Sequence, residues 1–211
     1  MDGKPNLVNV RRKVLMTAKV SLRWLLPVLA AAAISTGPVL AATKIIKFDV
    51  AEDATRFAFA KEQFVFEEGP GKEDNLPAYG NHFVTQGYIY PPGTLTASTG
   101  VFENGDPEFP DLVIGEWTCR GVFIGDGAKT ISGPWVISTQ FYDLGDGHTL
   151  ASEGLELVDL GVAIARGITG GTGPFKNATG EAVQKLLGFN VTTGVNLRFS
   201  LKVNDFRADS L

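Results

Sequence analysis

The run from Arg166 to Gly180, Arg-Gly-Ile-Thr-Gly-Gly-Thr-Gly-Pro-Phe-Lys-Asn-Ala-Thr-Gly, restricts the fold more than any other segment. It joins one short β-type run, Val162 to Ile168, to another that begins at Gly180. Gly170, Gly171 and Gly173 tolerate positive φ and Pro174 lacks a backbone donor, so the segment punctuates two strands and discourages a helix. A phosphate-cradling loop is excluded too. The pattern Gly-x-x-x-x-Gly-Lys-Ser/Thr is absent, and no amphipathic run follows whose helix N-terminus could hold an anion.

From Thr43 onward the same grammar repeats: short β-branched and aromatic runs separated by Gly, Pro, Asn and Asp. The pattern predicts strands near Ile45–Val50, Phe57–Phe66, Phe83–Tyr90, Leu112–Ile124, Trp135–Tyr142, Thr149–Val158, Val162–Ile168, Gly180–Leu187 and Val195–Val203. Glu67–Gly80 and Pro91–Pro110 read as loops. Eight or nine strands without a convincing helix predict an all-β fold: a single eight-stranded antiparallel β-barrel over residues 42–211, which leaves no exposed sheet edge. A short helix near Lys61 or over Val183–Leu187 is an alternative. There is no internal repeat and no second domain.

Two pieces of register can be read. A tight hairpin with Asp159-Leu160 at its tip pairs Leu157 with Val162, Leu155 with Ile164, Glu153 with Arg166 and Ala151 with Ile168. Glu153 and Arg166 then form an ion pair on an otherwise apolar ladder, where an unpaired charge would be costly. The opposite face, Ser152, Gly154, Ala163, Ala165 and Gly167, is small. In the last strand Val195, Leu197, Phe199, Leu201 and Val203 alternate with polar residues, so one face is buried and the other wet.

The first 41 residues read as a signal peptide. Arg11, Arg12, Lys13, Lys19 and Arg23 precede an apolar run from Trp24 to about Ile34, and Val39-Leu40-Ala41 offers a cleavage site before Ala42. That apolar run falls short of the ~20 residues a membrane span needs, so export is preferred over the alternative of a retained anchor, and the Arg11-Arg12 pair keeps twin-arginine export open beside the general secretory route. The chain is therefore expected to be exported, periplasmic or secreted, without a stable membrane span after leader removal. The remaining composition describes a globular protein: 44% hydrophobic, 20% charged, net charge −4 with no basic block for nucleic acid. One cysteine, Cys119, excludes an internal disulfide, and with only His82 and His148 beside it a structural zinc is disfavoured.

A family resemblance rests on Phe141-Tyr142-Asp143-Leu144-Gly145-Asp146-Gly147-His148, on Glu153-Gly154, and on Gly170-Gly171-Thr172-Gly173-Pro174-Phe175. Over residues 112–203 the chain resembles allene oxide cyclases, whose C-terminal half has a similar aromatic strand, Gly-Asp-x-Gly-His turn and Gly-Gly-Ser/Thr-Gly-x-Phe loop. Dirigent proteins, built on a similar barrel, share the last element. The resemblance implies a cofactor-independent isomerase or cyclase whose rigid apolar lumen selects a folded conformer of a small substrate. It implies that Cys119 lines the pocket. It also sets Gln86 near an asparagine that holds an ordered water beside the substrate epoxide. The family's epoxide-opening glutamate has only Glu67 and Glu68 nearby, and the corresponding position is closer to Val65.

The candidate catalytic residues are thus Gln86 and Cys119. Trp117, Phe123, Tyr88, Tyr142, Glu153 and Arg166 are candidate substrate-binding residues, with no metal and no cofactor. Each also has a structural reading. Cys119 fits a small buried hydrophobe, Gln86 a solvent-facing glutamine, the aromatics an ordinary β-core, and Glu153–Arg166 a strand-pairing or subunit contact. His148 reads as a turn residue, and Asn177 and Asn190 match glycosylation acceptors. Two functions follow: an exported barrel that binds and cyclises a small apolar molecule, or a non-catalytic dirigent-like carrier or interaction barrel. Either could be a homo-oligomer, dimer or trimer.

Overall fold

The computed structural model describes residues 42–60, 79–124 and 130–206. The leader, Glu67 and Glu68 lie outside them. Eight strands follow one another: β1 Ala42–Phe59, β2 His82–Tyr90, β3 Gly115–Phe123, β4 Pro134–Asp143, β5 Thr149–Leu157, β6 Ala163–Gly171, β7 Thr179–Phe189 and β8 Val195–Phe206. Each pairs antiparallel with the next, and β8 pairs with β1 to close the barrel. The only helical pieces among the described residues are single 3-10 turns at Thr94–Thr96, Pro110–Leu112 and Gly173–Phe175, so Val183–Leu187 is strand. No helix among them is long and apolar enough to cross a membrane.

The expected strand Ile45–Val50 and the start of the expected Phe57–Phe66 belong to one strand, while residues 61–66 lie outside the described residues. β1 bends where its pairing to β2 shifts between Asp53 and Ala58, which lets a single long strand serve two stretches of wall. The Gly-rich segment ends β6 and turns into β7, with Phe175 buried under the barrel end. Residues 91–114 lie on the outer wall. There the Asp49 carboxylate accepts the N–H groups of Gly93 and Leu95 at 2.9 and 3.1 Å and the Arg198 guanidinium at 2.7 Å. Ala51, Tyr90, Leu95 and Val101 form a small second core beneath that loop.

The β5–β6 connection corrects the sequence reading. Asp159 and Leu160 do lie in the turn, but it runs from Val158 to Val162 rather than across two residues. Its backbone is held from outside the hairpin, by Gly161 N–H donating to Leu186 O at 2.8 Å and Val158 N–H to Gly133 O at 3.1 Å. The ladder slips by one residue, so Glu153 faces Gly167. Because side chains alternate across a strand, that slip sends Arg166 inside and leaves Glu153 outside. The expected Glu153–Arg166 pair does not exist.

Candidate functional site

Alternation along the strands sorts the interior into three levels. At one end Phe57, Phe83 and Phe123 pack ring on ring, with centroids 5.3 Å apart for Phe57–Phe83 and 5.2 Å for Phe83–Phe123. Trp135 meets Phe123 edge-on at 6.0 Å. At the other end Phe48, Tyr142 and Phe199 form a triangle with 5.2–5.3 Å spacings. Between them lies a band of buried polar side chains that a simple inside-apolar rule does not anticipate.

Arg166 organises that band. Its five N–H groups are all used: Nε on Ser152 Oγ at 3.3 Å, Nη1 on the carbonyls of Gly154 and Leu155 at 3.3 and 3.1 Å, and Nη2 on Ser138 O and Oγ at 2.8 and 3.0 Å. Glu156 stands 3.7 Å from Nη1. Its Oε1 accepts from Ser138, from Gln140 at 3.0 Å and from Cys119 at 3.5 Å, and its Oε2 from Gln184 at 3.0 Å. The Gln140 amide oxygen accepts from Trp117 Nε1 at 3.2 Å and Tyr142 OH at 3.0 Å. Burying a guanidinium and a carboxylate is tolerable only with such saturation. Gly154 makes room for it, since a Cβ there would lie 3.2 Å from both Cβ and Cγ of Arg166.

Glu52 on β1 is the second interior carboxyl. It is 4% exposed and accepts from Thr85 Oγ1 and Val195 N–H, both at 2.6 Å. Burial, outweighing those two hydrogen bonds and reinforced by the negative charges of Glu156 and Asp53, pushes its pKa up to about 7. A carboxyl that exchanges its proton near neutrality inside an enclosed barrel is suited to general acid–base work.

Of the residues singled out from sequence, Trp117, Cys119, Phe123, Tyr142 and Arg166 face the interior. Gln86, Tyr88 and Glu153 lie on the outer face. Gln86 bonds Thr118 Oγ1 at 3.4 Å, and Tyr88 donates to Gly105 O at 3.1 Å under the Arg56 guanidinium. Arg166, with no free donor, is a structural hub rather than a substrate anchor. Burial, with Glu156 beside it, pushes the Cys119 thiol well above its ordinary value, so a reactive thiolate is disfavoured. Iodoacetamide should therefore label native Cys119 only as fast as the protein unfolds, measured by mass spectrometry against a urea-unfolded control. Rapid native labelling would show that the thiol is accessible after all.

Sequence reasoning missed Glu52, Gln140, Glu156 and Gln184, and also Asn81. Asn81, just before β2, is fully buried, and its backbone carbonyl accepts from the Phe123 N–H at 3.0 Å. Neither its amide oxygen nor its amide nitrogen has a partner among the described residues, and neither does Trp135 Nε1.

The eight strands close in sequence order into an up-and-down antiparallel barrel, a fold that this chain shares with dirigent proteins. Among solved structures, the pterocarpan synthase dirigent protein PsPTS1 superposes with a TM-score of 0.53 at 16% identity, over 79% of this chain and 97% of that one. The pterocarpan synthase dirigent protein GePTS1 gives 0.53 at 16%, over 82% and 90%. The Diels Alderase AbmU from Streptomyces koyangensis gives 0.45 at 10%, over 80% and 70%. At these identities the likeness is one of fold. No protein-family model and no curated protein matches the sequence.

Proposed function

We propose that the chain is an exported barrel that takes a small, mainly apolar molecule at the aromatic end of its interior and steers its cyclisation or isomerisation. The observation that carries this reading is an aromatic cluster at one end of the barrel together with the buried Asn81 amide and Trp135 Nε1, which have no hydrogen-bond partner among the described residues. An unpaired buried amide costs about 1–3 kcal/mol, and the Asn81 amide, whose main chain bonds that of Phe123, carries both a donor and an acceptor without a partner among the described residues. A ligand with an apolar body and one polar end would satisfy both requirements. No protein-derived step calls for a cofactor: enclosure positions the substrate, and Glu52 supplies or shares a proton. Glu52 takes this part on its own geometry, as the carboxyl of β1 that faces the interior, and not as the family's glutamate, whose position falls near Val65.

Asn81→Leu separates this from a merely structural asparagine. Removing an unpaired polar group should leave the barrel as stable or more stable, while weakening binding of a ligand with a polar end by about tenfold. Calorimetric titration with a matched pair of naphthalene derivatives, one with a carboxamide and one without, reads this directly. Failure of the parent protein to bind either would end the ligand-binding reading. Detection of a mature N-terminus at Ala42 after expression with the full leader would support export, and an intact cytoplasmic chain would refute it. The second reading, a dirigent-like carrier without turnover, predicts that ligand binding survives Glu52→Gln and that the parent protein converts nothing.

A further inference from the structure

We propose that the outer face of β3, β4 and β5 is the contact surface for a second copy of this chain, placed about a two-fold axis parallel to β4. On this wall the usual polarity is inverted. β4 turns Ser138 and Gln140 inward and Ile137 and Phe141 outward, 44% and 38% exposed, and Leu155 on β5 is 38% exposed. A closed barrel offers no strand edge, so association must use such a face.

The register makes the face self-complementary. Val122, Ile137 and Leu155 lie in one row across the three strands, Arg120, Thr139 and Glu153 in the next, and Thr118, Phe141 and Ala151 in a third. A two-fold axis along β4 exchanges β3 with β5. Arg120 then meets the partner's Glu153 twice over, Val122 meets the partner's Leu155, and Ile137 and Phe141 each meet their own copies. An axis across the strands through that row would instead oppose Arg120 to Arg120 and Glu153 to Glu153, at a cost in like-charge repulsion, and through any other row it would lose the Arg120–Glu153 contacts. The Arg120 guanidinium lies 5.8 Å from the Phe141 ring, which keeps it on this face.

Shape agrees with charge. A groove of about 370 Å³ is bounded on this wall by Arg120, Val122, Ile137 and Glu153. The groove lies where the partner's Leu155 arrives, and Leu155 is the exposed side chain of matching size. Asp143 marks where the contact ends, because on the axis it would face its own copy. This inference stands apart from the lumen reading: it concerns the outer wall and needs no ligand.

The test is a charge-exchange cycle followed by sedimentation equilibrium. The parent chain should dimerise. Arg120→Glu alone and Glu153→Arg alone should each weaken the dimer by about tenfold or more, since every contact occurs twice. The double variant should restore it, and an equimolar mixture of the two single variants should form a heterodimer. Circular dichroism and thermal unfolding of each variant confirm a folded barrel, as both positions are exposed. A parent that stays monomeric at its highest soluble concentration, a trimer, or single variants that dimerise like the parent would each overturn the proposal.

Discussion

Arg166→Met should destabilise the barrel by about 3–5 kcal/mol. The guanidinium bridges three strands from within, and its removal takes a donor from the carbonyls of Ser138, Gly154 and Leu155 and leaves Glu156 without its countercharge. Breaking a buried pair by deleting one partner costs about 3–5 kcal/mol. That is comparable to the whole stability of many domains, typically about 5–15 kcal/mol. Arg166→Lys should not rescue it, because an ammonium lacks the planar fork that reaches Ser152, Ser138 and the β5 carbonyls together. Urea unfolding followed by tryptophan fluorescence is the measurement. A loss below about 1 kcal/mol would mean that the network is far wetter than its geometry implies.

The parent protein should also lose about 3 kcal/mol between pH 4.5 and pH 7 through Glu52 alone. In the unfolded chain Glu52 ionises near 4.5, and in the barrel its pKa is about 7. Between those values the native state holds a proton that the unfolded state has released, so unfolding gains as pH rises. Below the window both states are protonated and Glu52 contributes no slope. Above it both are ionised and the full penalty is in force. Glu52→Gln removes the slope, since an amide can donate to Thr85 Oγ1 while its oxygen still accepts from Val195 N–H. The difference in unfolding free energy between the two proteins, measured every half pH unit at fixed ionic strength, should favour the variant increasingly across this window. A flat difference would show that Glu52 is solvated. If the barrel is an enzyme, the same substitution should abolish turnover while leaving ligand affinity within a fewfold.

How legible the protein is in its sequence depends on the strand. β8 alternates strictly, Val195-Leu197-Phe199-Leu201-Val203 against polar neighbours, and its buried face follows from that pattern. β4 defeats the same logic. Its inner residues Val136, Ser138, Gln140 and Tyr142 are no more apolar than its outer ones, because the interior band is polar and the outer wall is not. Binary patterning carries no sign in such a strand. The β5–β6 register fails for a different reason. A local hairpin rule fixed it at Asp159-Leu160, whereas the turn is set by bonds to Gly133 and to Leu186, distant in sequence. One residue of slip was enough to part Arg166 from Glu153 and leave it, alone of the two, at the centre of the barrel. Cys119, Trp117 and Phe123 were legible as interior because β3 alternates large apolar residues with Glu116, Thr118 and Arg120. Glu52 was not, since a glutamate between Val50 and Asp53 gives no hint that the strand turns it inward.

The closure of the sheet by its first and last strands bears on how the molecule is made. Thr43 on β1 bonds Asn204 on β8, 161 positions away. That ladder seals the barrel, and it cannot form while the chain is still being synthesised and its C-terminal strand has yet to appear. Until then β1 and β7 are both open edges. Contacts of such long sequence separation carry the loop-closure entropy of almost the entire domain, which places this topology among slow folders of high contact order. A nascent chain of this kind stays unfolded for longer than its stability would suggest, and whatever handles it first meets an extended polypeptide rather than a barrel.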